Sequence, residues 1–367
     1  MEYNICDACI PLPLQIVIDD VGWWSGSNDS AKNGPFRTGI NRNHTPADYS
    51  AIAELGKQLG IRPQAAMILA EWDRDNILAD IPSATWMGKN WKNPFLDIEK
   101  FEEAAQIIND SKEYFEFVLH GVGHEFWHQD GSVSRAEWYD ETGQMRPLDD
   151  VVKHLEAYEI IMQQNSLGNF PTSFVPCAFR YCFADDENGL LPLLKSRGIN
   201  YISSPFDCMD TKAYKPQFKH FGIDREVITV DRDYNKMPWY IIDADPDTMD
   251  LDNKVICGLH WPNILNENPD KNSETISRWV KYFKSLAKDF KRILSENTAA
   301  HRAQLIYNEL VELDINENII NIDFTKYFEH FDSHQPEGFV LHVKGNAGFR
   351  KIKVKPENNQ KSLALPT

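Results

Sequence analysis

The sequence lacks an excess of basic residues and has no long apolar run. Among its 367 residues, 38 are Lys or Arg and 55 are Asp or Glu, which gives a formal net charge of −17. Nucleic acids and anionic membrane surfaces attract basic patches, so this balance argues against either of them as the main partner. Because no apolar run has the length that a bilayer requires, we expect no membrane span.

The sequence also lacks a secretory signal and is poor in cysteine. The first stretch, MEYNICDACIPLPLQ, has neither the basic start nor the continuous apolar segment of a signal peptide. Six cysteines in so long a chain are typical of a reducing compartment, so we predict a cytoplasmic protein. The C-x-x-C spacing of CDAC has no further zinc ligands nearby, and we interpret its cysteines as ordinary ones. No pattern indicates the oligomeric state.

What the sequence does have is a series of strand-length apolar runs that end in polar residues. These runs are LPLQIVIDD, QAAMILAEWD, YFEFVLHGVGH, TSFVPCAFR, NYISSPFD, EVITVDRD, WYIIDADP and KVICGLHW. Continuous apolar runs are typical of strands that are covered on both faces, and helical patterns lie between several of them. This alternation predicts an α/β fold, and the number of runs predicts a (β/α) barrel, closed or distorted, of seven or eight strands.

The chain changes character near residue 298. Segments such as NENIINIDF and GFVLHVKGNAGFRKIKVKP alternate apolar and polar residues, as half-exposed antiparallel strands do. We therefore predict a barrel over residues 1–297 and a small C-terminal β-rich module over residues 298–367. The last segment, ENNQKSLALPT, is predicted to be disordered.

Two adjacent acids, Asp19 and Asp20, end the first long apolar run. Carboxylates this close repel each other and are costly to bury, so a compensating group is expected beside them. The segment HGVGH supplies His120 and His124, and two imidazoles with one carboxylate suit a Zn²⁺ that keeps a position open for water. Any one of these histidines could equally be a hydrogen-bonded structural residue, and HEFWH repeats the spacing with His128.

The order of these motifs resembles that of the polysaccharide deacetylase family, the NodB-homology carbohydrate esterases of family 4 type. VIDD stands where the family has T-F-D-D, and HGVGH stands where it has H-[ST]-x-x-H, with Gly121 in place of the hydroxyl residue. FRYCF keeps Arg180 and the flanking aromatics of the third motif without its proline, and GLHW keeps the late Leu-His pair that ends in His260. The resemblance covers roughly residues 12 to 290 and is that of a divergent member, with a poorly matched fourth motif.

The resemblance implies a NodB-like distorted barrel that removes an N-acetyl group from a sugar or glycan with the help of a metal. It implies that Asp20, His120 and His124 bind one divalent cation. Zn²⁺ is the default for such ligands, and Co²⁺, Ni²⁺ or Fe²⁺ fit the same set.

The resemblance also implies the catalytic roles. Asp19 would be the general base that takes a proton from the attacking water. His260 would be the general acid that protonates the leaving amine. Arg180 would orient Asp19 and compensate its charge, as an arginine–carboxylate pair can.

Substrate contacts are expected from the loop after the two acids and from the last motif. The weak candidates are Trp23, Trp24, Arg37, Arg42, His44 and Trp261. The two loop tryptophans could stack on a sugar ring or cap the mouth of the barrel. The basic loop residues could bind an anionic substrate group, or they could be solvated, which is the commoner state of charged loop residues.

Two other functions fit the same sequence. The same barrel could hydrolyse a different C–N bond or a glycosidic bond, and a glycosidase would need a second carboxylate opposite Asp19, for which Asp73, Asp207 and Asp243 are candidates. A carbohydrate-binding protein with a degenerate site is the third possibility. The retained Asp19 and His260 argue against it, since binding alone needs neither a base nor an acid. The sequence does not indicate which sugar or glycan is the substrate.

Overall fold

The computed structural model describes residues 5–26, 38–182, 187, 189–208, 216–232, 237–346 and 348–366. The strands are β1 (Ile5–Cys9), β2 (Leu12–Val21), β3 (Gln64–Ile68), β4 (Glu116–Gly121), β5 (Phe126–Trp127), β6 (Val133–Ser134), β7 (Ser173–Phe174), β8 (Tyr201–Ser204), β9 (Phe221–Asp224), β10 (Val227–Asp231), β11 (Ile256–His260), β12 (Arg292–Leu294), β13 (Glu312–Asn316), β14 (Ile319–Asp323), β15 (Phe339–Gly345), β16 (Gly348–Val354) and β17 (Ser362–Pro366). The α-helices are α1 (Pro46–Leu59), α2 (Ile98–Asp110), α3 (Leu148–Gln164), α4 (Leu190–Ser196), α5 (Asn272–Leu286) and α6 (Thr298–Leu310).

A nine-stranded sheet forms the centre of the fold. Its order is β11-β2-β3-β4-β7-β8-β10-β9, and β12 pairs with the first residues of β2. Neighbouring strands run parallel except for β9 and β10. The predicted α/β class is confirmed. Within the described part of the chain, no hydrogen-bonded strand pair joins β9 or β10 to β11, so the sheet is a curled half-barrel whose closure is not seen.

Seven of the eight apolar runs contain a strand of this sheet, and the run WYIIDADP does not. That prediction is wrong because the segment turns at Asp243, whose φ of 55° lies in the left-handed region that a strand excludes. Its side chain binds the Thr275 hydroxyl and the Arg278 guanidinium on α5. Asp243 therefore anchors a turn against a helix.

The inner face of the curled sheet carries an apolar layer with a polar layer beyond it. The apolar layer, which packs with α6 and the C-terminal strands, includes Val17, Val118 and Ile256. Because strand side chains alternate between faces, the residue two positions further on lies on the same face. These residues are Asp19, His120 and Gly258. The strand period thus places candidate site residues at the carboxyl ends of the strands, while α6 covers the opposite end.

The residues beyond 298 form α6 and parts of two three-stranded antiparallel sheets, β13-β14-β17 and β1-β15-β16. The second sheet takes its edge strand β1 from the N-terminus, so it is not built from C-terminal residues alone. Helix α6 packs on β2 and β15. The boundary at residue 298 stays a prediction.

The expectation of a disordered tail is wrong for β17, which pairs with β14 along its whole length. Leu363 and Leu365 alternate with more exposed residues and pack against the core formed with α6, which gives the strand its apolar face.

Two observations bear on the expected environment of the chain. Within the described ranges, no helix combines the length and the apolar character needed to cross a membrane. Cys9, Cys177, Cys182 and Cys257 are free thiols. The cytoplasmic location stays a prediction.

Candidate metal and catalytic site

The two acids that end β2 have different backbone conformations. Asp19 continues the strand and pairs in register with His260 of the neighbouring parallel strand β11. Asp20 has a φ of 60°, a left-handed conformation that costs a non-glycine residue about 1–2 kcal/mol. Gly22 follows with a φ of 115°, and a Cβ there would lie 2.1 Å from the Ile68 carbonyl oxygen. The chain therefore turns sharply at Asp20, and the two carboxylates have different neighbours.

The carboxylate of Asp20 lies between the two histidines of HGVGH. Its Oδ1 atom is 3.4 Å from His120 Nε2 and 3.7 Å from His124 Nε2. His120 is on β4, which is separated from β2 by β3 in the sheet, and His124 lies beyond the end of β4 with a φ of 65°. The three predicted metal ligands are thus brought together at the carboxyl ends of the strands.

A backbone contact fixes the proton position of His120. Its Nδ1 lies 2.7 Å from the carbonyl oxygen of Val175, and since a carbonyl only accepts, Nδ1 carries the hydrogen. In the neutral ring, Nε2 then has a free lone pair directed toward Asp20. Metal-binding histidines are generally oriented by such a contact at the other ring nitrogen.

The polar atoms of this cluster do not satisfy one another. Asp20 Oδ1, His124 Nδ1 and His260 Nδ1 are buried and hydrogen-bond to no described residue. Burial opposes ionisation of Asp20, but His120, His124 and His260 around it hold the pKa of its carboxyl below the usual range. An ionised carboxylate, two imidazoles and an orphaned buried oxygen fit a divalent cation.

Asp19 is paired with an arginine that the motif comparison did not single out. Arg232 Nη2 is 2.6 Å from Asp19 Oδ2, and Arg232 Nη1 donates to Asp19 Oδ1 at 3.0 Å. Both side chains are almost fully buried. Arg180 is exposed, and among the described residues it makes no ion pair or hydrogen bond with Asp19. The expectation that Arg180 holds Asp19 is therefore corrected to Arg232.

Arg232 follows β10 and bridges the open side of the curled sheet. A Cβ at Gly258 of β11 would lie 2.5 Å from Arg232 Nη2, so the glycine makes room for the guanidinium. The Phe179 ring lies 4.6 Å from Arg232 Cζ, a cation–π contact. The signal for Arg232 was the run EVITVDRD, which ends in charged residues after an apolar strand as VIDD does.

His260 ends β11 beside Asp19, and its backbone N–H donates to Asn263 Oδ1 at 2.8 Å. Burial lowers the pKa of its imidazole, while the negative charges of Asp20 and Asp19 act in the opposite direction. Burial has the larger effect, so the His260 imidazole is predominantly neutral near pH 7.

Cys177 is a second residue that the sequence comparison missed. Its sulfur and one ring nitrogen each of His120 and His124 lie within 4.8 Å of one another, and all three side chains are buried. The thiol donates to the His120 carbonyl oxygen at 3.1 Å, and burial raises its pKa well above the ordinary value. A buried cysteine is ordinarily a small apolar residue, and only the folded sheet brings it to the histidine pair.

The second H-x-x-x-H spacing does not contribute to this cluster. His128 lies on the short hairpin formed by β5 and β6, where its Nε2 is 2.9 Å from Ser134 Oγ. The chain turns between His124 and His128, so the two rings belong to different surroundings.

The tryptophans predicted as substrate contacts belong to the core instead. Trp23, Trp24 and Trp261 are at most 1% exposed. Trp24 stacks on Phe101 with ring centroids 5.1 Å apart and planes 7° apart. Of the two roles open to the loop tryptophans, burial favours packing, and a buried ring presents no face to a sugar.

The basic loop residues are also internal. Arg42 forms a bidentate ion pair with Asp48, with Nη1–Oδ2 at 2.7 Å and Nη2–Oδ1 at 2.8 Å. His44 is buried and stacks on Trp261 with a centroid distance of 4.0 Å. The expectation that Arg42 and His44 bind an anionic substrate is wrong, because their polar atoms are used within the fold. Arg37 lies outside the described residues.

The carboxylates considered for a glycosidase either have partners elsewhere in the fold or are exposed. Asp73 is fully buried and accepts hydrogen bonds from the backbone of Ile77 and Leu78 and from Trp91 Nε1. Asp207 is exposed, and the turn residue Asp243 binds α5.

No protein-family model matches the sequence, and no curated protein does. Solved structures similar to this chain include a candidate glycoside hydrolase/deacetylase from Parabacteroides distasonis, with 11% identity, coverage of 95% of this chain and 88% of that one, and a TM-score of 0.43. A family 4 carbohydrate esterase from Streptomyces lividans has 9% identity, coverage of 81% and 96%, and a TM-score of 0.33. A candidate polysaccharide deacetylase from Mycobacterium smegmatis has 10% identity, coverage of 67% and 73%, and a TM-score of 0.36.

Proposed function

We propose that this chain is a metal-dependent hydrolase that removes an N-acetyl group from a sugar or glycan. The observation that carries the proposal is the position of Asp20 Oδ1, 3.4 Å from His120 Nε2 and 3.7 Å from His124 Nε2, with no hydrogen bond to a described residue. A buried carboxylate oxygen left without a hydrogen bond is costly unless it serves a ligand or an ion. Asp19 and His260 lie on adjacent strands beside it.

Asp20, His120 and His124 would hold the cation, with Zn²⁺ as the default and Co²⁺, Ni²⁺ or Fe²⁺ as alternatives. When bound, a divalent cation lowers the pKa of a coordinated water and supplies positive charge for an oxyanion. The Val175 carbonyl fixes the proton of His120 at Nδ1, so that Nε2 is available as the ligand atom.

Asp19 would act as the base. Arg232 contacts both of its carboxylate oxygens, which fixes the orientation of the group. Each carboxylate oxygen has two lone pairs, so one on each oxygen remains for a proton from the attacking water. The two acids of VIDD then have different roles, because Arg232 compensates one and the cation compensates the other.

His260 would carry a proton to the leaving amine nitrogen. Burial lowers the pKa of its imidazole, so the ring begins neutral near pH 7 and passes on a proton that it first receives. The source of that proton would be Asp19, which lies beside His260 in the strand register and would take a proton from the attacking water in the preceding step. The specific N-acetylated sugar stays open.

The test has two measurements on the same protein samples. The first is the transition-metal content of wild type and of Asp20→Ala/His124→Ala, purified without added metal or an affinity tag that carries nickel. The second is acetate release from a panel of N-acetylated sugars and oligosaccharides. We expect about one equivalent of metal in wild type, as in catalytic zinc sites, and loss of both metal and activity in the double variant.

His128→Ala is the matched control, since it removes a histidine of the same segment whose partner is Ser134. It should keep both metal and activity. Wild-type protein that takes up no metal on dialysis against Zn²⁺ would reject the proposal and favour the carbohydrate-binding alternative. Metal without acetate release, but with release of reducing ends, would favour the glycosidase.

A further inference from the structure

A buried carboxylate lies under the loop that carries the two histidine ligands. Glu137 is 1% exposed. Its Oε1 accepts the backbone N–H of Val122 at 3.0 Å, and its Oε2 accepts those of Gly123 and His124 at 3.1 and 2.9 Å. Three consecutive amides of the segment that joins His120 to His124 are therefore bound by one side chain. Hydrogen bonds to a charged acceptor are stronger than those between neutral groups.

Glu137 is itself held by His154, which in turn contacts Ser83. His154 of α3 donates from Nδ1 to Glu137 Oε1 at 2.8 Å, and its Nε2 lies 2.9 Å from Ser83 Oγ. The order Ser83, His154, Glu137 has the pattern of a nucleophile, base and acid, but the serine is only 7% exposed and the carboxylate is already used by the loop. We therefore assign this chain of contacts to support of the loop and not to a second hydrolytic site.

The position of Glu137 excludes a side chain at Gly121. A Cβ at Gly121 would lie 2.2 Å from Glu137 Oε2 and 2.8 Å from Cys177 Sγ. Gly121 is the residue at which the sequence departs from H-[ST]-x-x-H, where a hydroxyl residue would stand. The carboxylate thus occupies the space that a side chain at residue 121 would need.

The loop has a strained residue that such support explains. His124 has a φ of 65°, a left-handed conformation that is unfavourable for a non-glycine residue and persists only where its surroundings hold it. The backbone N–H of this same residue donates to Glu137. The bond that anchors the loop is therefore made at the strained ligand itself.

We propose that Glu137 is the positioning residue of the metal loop, and that it replaces from outside the segment the hydroxyl that Gly121 lacks. The inference rests on the proposed function, because it concerns how His120 and His124 are held for the cation. It predicts that the Glu137 side chain and a side chain at residue 121 cannot both be accommodated, so that a residue larger than glycine at position 121 requires a smaller residue at position 137.

The test is the Co²⁺ affinity of folded Glu137→Gln, measured by competition with a chromophoric chelator. A glutamine has one acceptor oxygen, and its amide nitrogen faces backbone donors, so at least one loop amide loses its partner. Loss of an outer partner of a metal ligand typically weakens metal binding about 10–100-fold, and we expect a change of that size.

Asp73→Asn is the matched control, because Asp73 is a buried carboxylate that also accepts backbone amides but away from the histidine loop. It should lower the unfolding temperature and leave Co²⁺ affinity within about twofold of wild type. If Glu137→Gln does not fold, Ser83→Ala is the alternative variant, because it removes the hydroxyl bonded to His154. Its Co²⁺ affinity should be lower than those of wild type and Asp73→Asn, by less than the roughly 10–100-fold expected for loss of the Glu137 carboxylate.

The exchange of positions gives a second readout. Because Cys177 Sγ would also meet a Cβ at residue 121, the exchange is made in a Cys177→Ala background. There, Glu137→Ala/Gly121→Ser places a hydroxyl in the vacated space and should bind Co²⁺ more tightly than Glu137→Ala. Folded Glu137→Gln and Ser83→Ala that bind Co²⁺ as tightly as wild type would overturn the inference and leave the proposed function intact. Wild-type protein that binds no metal would reject the proposed function and this inference together.

Discussion

Two buried carboxylate clusters of this protein differ in how completely their polar atoms are hydrogen-bonded. In the first, Asp48 is 0% exposed and both of its oxygens are fully engaged. Arg42 binds them through two nitrogens, and Asn272 Nδ2, His44 Nδ1 and the backbone N–H of Thr45 lie at 2.9, 3.2 and 3.0 Å. This cluster ties the loop before α1 to the residue that begins α5.

In the second cluster, Asp20 is surrounded by histidines but hydrogen-bonds to none of the described residues through Oδ1. The pKa of both carboxyl groups is lowered against the opposing effect of burial, by His44 and Arg42 at Asp48 and by three histidines at Asp20. A lowered pKa therefore does not separate a structural carboxylate from a candidate ligand. What distinguishes Asp20 from Asp48 is an oxygen without a hydrogen bond, since both Asp48 oxygens accept several.

The largest effect is expected at Arg232, whose buried ion pair with Asp19 lies beside the open cluster. Removing one partner of a buried pair leaves the other charge uncompensated, so Arg232→Ala should destabilise the protein by about 3–5 kcal/mol and abolish acetate release. Arg180→Ala, at an exposed position, should change the unfolding free energy by about 0.5 kcal/mol or less. Denaturant unfolding and acetate release measure the two effects.

Arg232→Lys is the companion variant, because a lysine keeps the charge but not the paired contacts with both Asp19 oxygens. It should fold better than Arg232→Ala and recover little activity. Equal losses of activity in Arg180→Ala and Arg232→Ala would restore Arg180 to the role that the motif resemblance gave it.

Asp48 and Asp20 can be compared by substituting each with asparagine and measuring stability and metal content in both variants. Asp48→Asn should cost about 3 kcal/mol, because it leaves Arg42 and its neighbours without their anion, and it should not change metal content per folded molecule. Asp20→Asn should change the unfolding free energy of the metal-free protein by about 1 kcal/mol or less, and it should lose the metal. Chemical denaturation and elemental analysis on both variants provide the check.

The pH dependence of this pair has a defined sign. Because the pKa of Asp48 is lower in the folded state, its contribution to the free energy of unfolding is present above the ordinary aspartate value of about 3.9 and is lost as the pH falls below it.

If Asp20→Asn destabilises the metal-free protein as much as Asp48→Asn does, the contrast between the fully hydrogen-bonded Asp48 cluster and the open Asp20 cluster fails.

The sheet was predictable because its strands are continuous apolar runs, and the period of such runs is local information. WYIIDADP has the same composition but turns at Asp243, whose conformation is set by contacts with α5 far along the chain. Strand β1, with the sequence ICDAC, was missed for the complementary reason. It is too short to show a period, and β15 gives it its place in a sheet.

The candidate site divides in the same way. The candidate ligands Asp20, His120 and His124 could be predicted because their spacing or strand-end position is visible in the sequence. Arg232 and Glu137 were not, since their roles depend on which strands and loops become neighbours in the fold. Residue type alone does not encode that choice, and an exposed Arg180 and a buried Arg232 look alike in a single sequence.

The histidines offer a further test of the contrast. His301 of α6 uses both ring nitrogens, with Nε2 3.0 Å from the Val255 carbonyl oxygen and Nδ1 3.1 Å from the Tyr201 hydroxyl. Burial lowers its pKa to about 3. The unfolded chain therefore binds this proton more readily, and stability that is present above pH ~6.5 is lost on acidification by about 1.4 kcal/mol per pH unit.

We expect the unfolding free energy of wild type to fall by about 2 kcal/mol more than that of His301→Gln between pH 6.5 and pH 5. Urea unfolding of both proteins across this range measures the difference, with circular dichroism confirming the native state at each pH. Parallel pH profiles would mean that His301 does not keep its neutral, fully bonded state.

The smallest expected effect concerns Cys177, which is either a hydrogen-bonded structural thiol or a ligand of the cation. Its sulfur lies near both histidine ligands, but the thiol donates to the His120 carbonyl oxygen and burial raises its pKa well above the ordinary value. A thiol that already has an acceptor and resists ionisation should stay a thiol, so Asp20 should supply the third ligand. Co²⁺-loaded wild type and Cys177→Ser should then have the same absorption spectrum, without a thiolate-to-cobalt charge-transfer band. Such a band in wild type, absent in Cys177→Ser, would instead make the thiolate a ligand and would favour soft cations at this site.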